Sequence, residues 1–496
     1  MASATDHGSQ DLGHPSPEGR ALRVDLAVVG AGFSGLATLA NLLESWGGAP
    51  LRVAWLERSG RFGPGVAYGA RSHLRLLNVR ASGMSAQAQE PEHFIEFARF
   101  YSDASEQPCG QDFLPRALYG RYLEAWLDRC ERAAAHSAQV LRLRAEAVRL
   151  RAPDGQSPAC LELADGGRVH AGRVVLALGN AAPARPAWLA DLGPAGDPRV
   201  LTNPWDEAAL AAVRPGERVL VLGTGLTAID SILDLAPRLA GGHILALSRR
   251  GLIPRVHRDL RGLPETPALV LEPEEQRSVL ALLRGLRRRI REQQQRGGDW
   301  RQVVDSLRAH TPQLWAGLPL EQRARFVHRL AAFWDVHRHR LPGPAWSALG
   351  AHLHSGRVRF LAGRVRSFKA RSAGLEFAIQ ARGSKRSETV VFDRLLLANG
   401  PESDPARAHG SLLSGAIAGG LVRPDPLGLG LESTHDGRAL DGAGRPQAWL
   451  DLIGSLRRPS LWESTAVPEL RVQAKQLAER LRLQLDPPRP VLTHQR

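Results

Sequence analysis

Two glycine-rich turns, each set between a short apolar strand and a helical stretch, predict an α/β fold. A meander of strands that occurs twice, each time ending in an apolar strand closed by glycine, predicts that the unit is duplicated. An arginine-rich stretch of helical period behind the second turn predicts a helical insertion. The predicted fold class is therefore α/β: two Rossmann-like units, each a parallel sheet with a three-stranded β-meander, plus that insertion.

The first turn follows the apolar run Val24 to Val29 and reads Gly30-Ala31-Gly32-Phe33-Ser34-Gly35, after which a helix runs to about Trp46. A second apolar strand, Leu51 to Leu56, ends at Glu57. This β-α-β setting makes GxGxxG a dinucleotide signature rather than a chance run of glycines. Gly30 permits the tight turn, Gly32 lets the main chain approach a pyrophosphate, and Gly35 lets helix and strand pack closely. The helix start, including Ser34, attracts phosphate charge. Glu57 follows about 20 residues after the last glycine, where a carboxylate accepts hydrogen bonds from a ribose.

The second turn follows Arg218 to Leu222 and reads Gly223-Thr224-Gly225-Leu226-Thr227-Ala228, with alanine in the third glycine position, an accepted form of the motif. Gly223, Gly225 and Thr227 are its expected cofactor contacts. The next strand, His243 to Leu247, ends in Ser248-Arg249-Arg250 with no acid. Arg249 suits a 2′-phosphate and so NADPH over NADH; the alternative is that it lies against the adenine face.

The repeated meanders span Val140 to Gly179 and Val358 to Gly400. Each ends in a buried run, VVLALG or RLLLANG, and Gly179 is expected beside the cofactor. The order implies a first domain in two segments, 21–200 and 370–483, around a second domain, 213–369, that carries the insertion 265–353. Residues 1–20 are polar and read as a disordered leader, and 484–496 as a tail. The insertion ends in Phe333-Trp334-Asp335-Val336-His337-Arg338-His339-Arg340; His337 and His339 diverge on a helix, which argues against a metal pair and for packed or substrate-facing imidazoles.

Composition narrows the classes. At 43% hydrophobic and 23% charged residues the chain can build sizeable cores. Its apolar runs are far shorter than the ~20 residues that a membrane-spanning helix needs, so no membrane association and a cytoplasmic location are expected. Three cysteines, Cys109, Cys130 and Cys160, form no CxxC pair, which argues against a dithiol redox centre. The net charge of +15 is carried almost wholly by arginine. Its densest run, Arg284 to Arg291, lacks interleaved aromatics and reads as a solvated helix face rather than a nucleic-acid surface. Attraction of anionic cofactors and a small anionic substrate is a sufficient use for the charge.

The GAGFSG start, the segment Phe113 to Leu123 (FLPRALYGRYL), GTGLTAID with SRRGLIP, FWDVHRHR and Leu461 to Arg471 (LWESTAVPELR) together resemble the bacterial FAD/NAD(P)-binding flavoproteins of the flavin-monooxygenase type. That group includes a FAD-dependent urate hydroxylase and, more distantly, amino-acid N-hydroxylases. The resemblance implies FAD at the first turn and NADH or NADPH at the second. It also implies a further layer of contacts over the flavin from the segment Arg61 to Val79, including Asn78. Gly454 closes the last strand, Ala448 to Gly454, but is followed by Ser455 where such proteins often carry aspartate, which puts the ribityl contact in doubt.

The helix from about Pro468 to Leu483 begins just after Thr465, Ala466 and Val467, and its N-terminus suits negative charge on a reduced flavin. The resemblance implies that NAD(P)H reduces the flavin and that dioxygen then supplies an oxygen atom to the substrate, with urate as the specific expectation and an amine or amino acid as the alternative. An oxygen-independent flavin reductase is a further alternative. Arg457 and His257 are the expected catalytic side chains, and the insertion is expected to cover the flavin as a lid.

Overall fold

The computed structural model describes residues 21–486, apart from 70, 71, 73, 74, 104–106, 193–195, 408 and 409. The expected leader, 1–20, and all but the first three residues of the expected tail, 484–496, lie outside the described residues.

The first sheet is built on β1 (Ala21–Val29), β2 (Leu51–Leu56), β3 (Ala138–Leu143), β4 (Ala147–Arg151), β5 (Ala159–Leu163) and β6 (Arg168–Leu176). β3, β2, β1 and β6 run parallel in that order, and β4 and β5 fold back antiparallel from the first half of β6. A long apolar strand such as β1 sits between two neighbours and under helices, so both of its faces lose water. The helix Phe33–Glu44 is buried along nearly its whole length because a second helix, Val467–Leu485, lies across it.

The second sheet comprises β7 (Val200–Leu201), β8 (Arg218–Leu222), β9 (His243–Ser248), β10 (Val358–Arg371), β11 (Gly374–Ala381), β12 (Glu388–Phe392) and β13 (Arg394–Leu397). Its order is β12-β11-β10-β9-β8-β13-β7, with the last five parallel. The repeat expected from the sequence is present, with one difference. In the first unit a break at 144–146 separates the strand that extends the parallel sheet from the one that opens the meander. In the second, β10 does both jobs, pairing with β9 through Ala362 and with β11 from Gly363, and a bulge lies between Val365 and Ser367.

Pairing also moves the expected domain boundaries. β13 must lie beside β8 to extend the second sheet on the side away from β9, so residues 374–397 belong to the second unit and not to a first-domain segment starting at 370. β7 likewise joins the second sheet, although Val200 is the last residue of the expected first segment 21–200. The chain returns to the first sheet only with β14 (Arg438–Leu440) and β15 (Pro446–Leu452), the latter parallel to β6. The insertion also ends earlier than 353: the helix Gly343–His354 places Ala345 and Leu349 in the second unit's core and is the crossover between β9 and β10.

The two connections between units run side by side. Gly179 (φ +66°) and Gly400 (φ +90°) turn the chain out of β6 and β13, and Pro183 then pairs with Pro401 as an antiparallel bridge. Ala184 N–H donates to the Gly400 carbonyl (3.4 Å) and Glu402 N–H to that of Ala182 (2.9 Å). Among the described residues no helix is long and apolar enough to cross a membrane.

Candidate functional site

Each glycine turn separates packing glycines from an open one. Gly30 has φ +105°, and a Cβ there would sit 2.3 Å from the Ala177 carbonyl oxygen; one on Gly35 would meet the Gly30 oxygen at 2.1 Å. Gly32 is different, since its nearest neighbour would be the Cα of Gly65 at 3.8 Å. The second turn repeats this. A Cβ on Gly223 (φ +124°) would strike the Ala398 oxygen at 2.0 Å, whereas nothing lies within 4 Å of one on Gly225. Gly32 and Gly225 are also the N-caps of the helices Phe33–Glu44 and Leu226–Leu235, and neither helix has a side-chain cap. No side chain therefore caps the first-turn N–H groups of either helix, which fits a pyrophosphate at each.

Around the first turn the other expected contacts fall into two sets. The Glu57 carboxylate accepts from Ala31 N–H (3.0 Å), Ser59 N–H (3.0 Å) and Ser59 Oγ (2.8 Å), which fixes it at the loop mouth with lone pairs to spare for a ribose. Gly454 (φ +83°) passes so close to Ser34 that a Cβ would lie 2.9 Å from Ser34 Oγ. Ser455 hydroxyl donates to the Gly179 carbonyl (2.5 Å), so the serine in the usual aspartate position ties the last strand to the first crossover. From Gly454 the chain leads through Thr465 and Ala466 to Val467, where a third helix begins without a side-chain cap. Gly30, Gly32, Ser34, Gly35, Gly454 and the start of this helix thus form one neighbourhood.

At the second turn, Thr227 lies in the first turn of its helix, and Thr224 Oγ1 holds the Leu252 carbonyl (2.5 Å). Arg249 is exposed at the end of β9 with no hydrogen bond or ion pair among the described residues. Arg250 instead folds over the Phe333 ring, 5.6 Å from its centroid, and donates to the His328 carbonyl (3.4 Å).

The two expected catalytic residues are both enclosed. Arg457 is 4% exposed; its Nη2 donates to the His435 carbonyl (2.6 Å), and burial pulls its guanidinium down to about 10. Its Nη1 lies 3.5 Å from Gln473 Oε1 on the C-terminal helix. His257 donates Nε2–H to the Asn78 carbonyl (3.0 Å), the only direction a carbonyl allows, and leans on Phe113 with centroids 4.8 Å apart. Burial, and then the Arg340 charge, push this imidazole down to about 4, so it is neutral at physiological pH. Asn78 and His257, expected in separate roles, are thus one contact that joins the two units.

Sequence reasoning singled out FWDVHRHR and WESTAVPELR without relating them, and the structure brings them together. Arg338 makes a paired contact with Glu463 (Nε–Oε1 3.1 Å, Nη2–Oε2 2.9 Å), and Arg308 does the same with Glu469 (Nη2–Oε2 2.8 Å). Trp462, the only non-glycine residue with positive φ among the described residues (+58°), is held by Arg458 over its ring at 4.3 Å and by Trp315 and Phe326 at 4.8 and 4.9 Å. That packing fixes a strained turn. His339 lies among the same guanidiniums; burial, then Arg338 and its neighbours, push it down to about 3. Asp335 moves the other way, to about 6, because burial outweighs the Arg458 charge.

A second ionic contact joins the units on the other side of the second turn. Arg75 Nε donates to Asp234 (2.6 Å) and Arg116 Nη2 to Asp230 (3.1 Å), with all four side chains nearly sealed from water. The acids are four apart and so lie on one helix face. Both guanidiniums lie over Trp205, at 4.9 and 5.6 Å.

Two glycine turns, a shared ionic layer and an inserted second unit define a two-dinucleotide protein. Residues 27–181 match the family described as FAD-NAD(P)-binding, and the cofactors are FAD and a nicotinamide dinucleotide. An uncharacterized protein of Mycobacterium tuberculosis (strain ATCC 25618 / H37Rv) is 25% identical over 524 residues, covering 93% of this chain and 96% of its own. Among solved structures, L-lysine 6-monooxygenase from Pseudomonas syringae superposes with TM-score 0.63 at 14% identity, over 92% of this chain and 99% of that one. The ornithine N-hydroxylase of Kutzneria sp. 744, solved with reduced FAD, NADP+ and L-ornithine, gives TM-score 0.59 at 16% identity, over 93% and 99%. These likenesses share the fold.

Proposed function

We propose that this chain is a FAD-dependent, NADPH-consuming monooxygenase that hydroxylates the nitrogen of a primary amine or amino acid. The observation that carries this reading is the pair of uncapped helix starts at the glycine turns, in a fold whose likeness to lysine and ornithine hydroxylases covers 92% and 93% of the chain. The expectation of urate yields to its alternative, an amine or amino acid, which the likenesses to lysine and ornithine hydroxylases fit better. FAD, held at Gly30, Gly32 and Glu57, would supply the redox chemistry, namely hydride acceptance from the nicotinamide and activation of dioxygen. The protein supplies the rest. The helix starts at Gly32 and Gly225 hold the two pyrophosphates. Exposed Arg249 meets a 2′-phosphate, which favours NADPH over NADH. The insertion, clasped to the C-terminal segment through Arg338 and Glu463, keeps water from the reacting atoms.

The test is turnover of the FAD-loaded enzyme with NADPH and NADH against L-ornithine, L-lysine, cadaverine and urate, following oxygen uptake and hydroxylamine formation. An amine that accelerates NADPH oxidation and yields a hydroxylamine is the expected result. NADPH oxidation that is indifferent to every amine, with no hydroxylamine, overturns the reading.

A further inference from the structure

Arg340 stands out among the arginines of the ionic layer. It is 3% exposed, yet only its Nη2 has an acceptor, Asp305; Nε and Nη1 have none among the described residues. A guanidinium carries five N–H donors, and leaving them buried and unmet costs the full desolvation of each. Arg338 and Arg308 each have a well-buried glutamate of their own. Arg340 instead has an aspartate that is 41% exposed, on the helix Trp300–Ser306 at the surface of the insertion. The Trp300 ring lies 5.9 Å from the guanidinium. The main-chain N–H of His257 donates to the Leu341 carbonyl (2.8 Å) beside the bridge between Val256 and Leu341, which sets the neutral imidazole and its Asn78 contact next to Arg340.

We propose that Arg340 is the anchor for a substrate carboxylate, and that Asp305 on the helix Trp300–Ser306 fills this place until the substrate displaces it. A carboxylate matches the fork of a guanidinium and satisfies two parallel N–H groups. Asp305 supplies the same chemistry from the protein's own surface. Exchange requires only that the Asp305 side chain swing outward, since it is 41% exposed while its helix stays docked through Val303 and Val304. This inference deepens the N-hydroxylation reading and rests on it for the class of substrate: an α-amino acid with a side-chain amine, in preference to the diamine that lacks the carboxylate.

The experiment pairs calorimetric titration of the FAD-loaded enzyme with turnover. The titrant is L-norvaline, which has the α-carboxylate and no side-chain amine; the substrates are L-ornithine and its decarboxylated counterpart, putrescine. Wild type is expected to bind norvaline and to favour ornithine over putrescine by about tenfold or more in kcat/KM, the value of one charge-assisted contact. Arg340→Gln is expected to lose norvaline binding and bring that ratio toward one. Asp305→Asn is expected to tighten norvaline several-fold, because the internal competitor is gone; a merely structural Asp305 gives no such gain, and this variant carries the test if Arg340→Gln does not fold.

Norvaline binding that is absent from wild type, or indifferent to Arg340, overturns the site, as does Asp305→Asn binding it more weakly. Norvaline binding that follows Arg340 while no amine is hydroxylated keeps the carboxylate site and removes the N-hydroxylation reading. Hydroxylation of both amines without preference does the reverse.

Discussion

At the scale of single residues, the two glycines of one turn do different work, and the difference is measurable. Gly223→Ala forces a Cβ to within 2.0 Å of a main-chain oxygen at positive φ, whereas Gly225→Ala adds a methyl to open space. Gly225→Ala is therefore expected to melt like wild type when free of cofactor but to bind NADP+ at least about tenfold more weakly, the methyl keeping the pyrophosphate off the helix start. Gly223→Ala is expected to lower the melting temperature itself. Equal NADP+ affinity in Gly225→Ala and wild type would contradict the assignment of this turn.

Such turns are legible in a sequence because all their parts lie within a few residues of one another. Arg340 is not: its meaning comes from Asp305, 35 positions away, and from a burial that no local pattern announces. Arg457 shows the converse. Its place before the C-terminal helix suggested a catalytic side chain from sequence, whereas the Thr434 and His435 carbonyls that hold it come from a separate stretch of chain that only the fold brings near.

At the scale of elements, the insertion is docked through charge as well as through Trp462, so its stability depends on pH. Asp335 has a folded-state carboxyl near 6 against an ordinary value of 3.8. A raised value means that the protonated form favours folding: the gain is complete below about pH 4 and is lost as pH rises through 6. Asp335→Asn is neutral at every pH and is expected to stabilise the protein at pH 8 by up to about 3 kcal/mol, with little change at pH 4. Thermal melts of the two proteins at both pH values check this, and an equal shift at each would refute it. His257 and His339 act with the opposite sign, since their depressed values withdraw stability as pH falls from 6.5 toward 4 and 3. The helices of the insertion were legible from their 3.6-residue period; their docking was not, because Arg338 and Glu463 are 125 residues apart.

For the whole molecule, the order of units was legible and their borders were not. Two meanders in sequence announce two sheets, but only strand pairing shows that 374–397 completes the second. The units are then held together by Arg75–Asp234 and Arg116–Asp230. Removing one member leaves an uncompensated buried charge, so Asp234→Ala is expected to cost about 3–5 kcal/mol in chemical denaturation. Arg75→Met combined with Asp234→Leu is expected to recover much of that loss. A loss below about 1 kcal/mol for Asp234→Ala would show that the contact does not secure the units.

The paired connections at Pro183 and Pro401 have a mechanical consequence. A domain on one tether can swivel in any direction, whereas two tethers laced together by hydrogen bonds form a strap that bends across its width and resists twisting. Bending across the width of this strap would be the easier motion between the units once the sealed pairs Arg75–Asp234 and Arg116–Asp230 part, like a door rather than a ball joint.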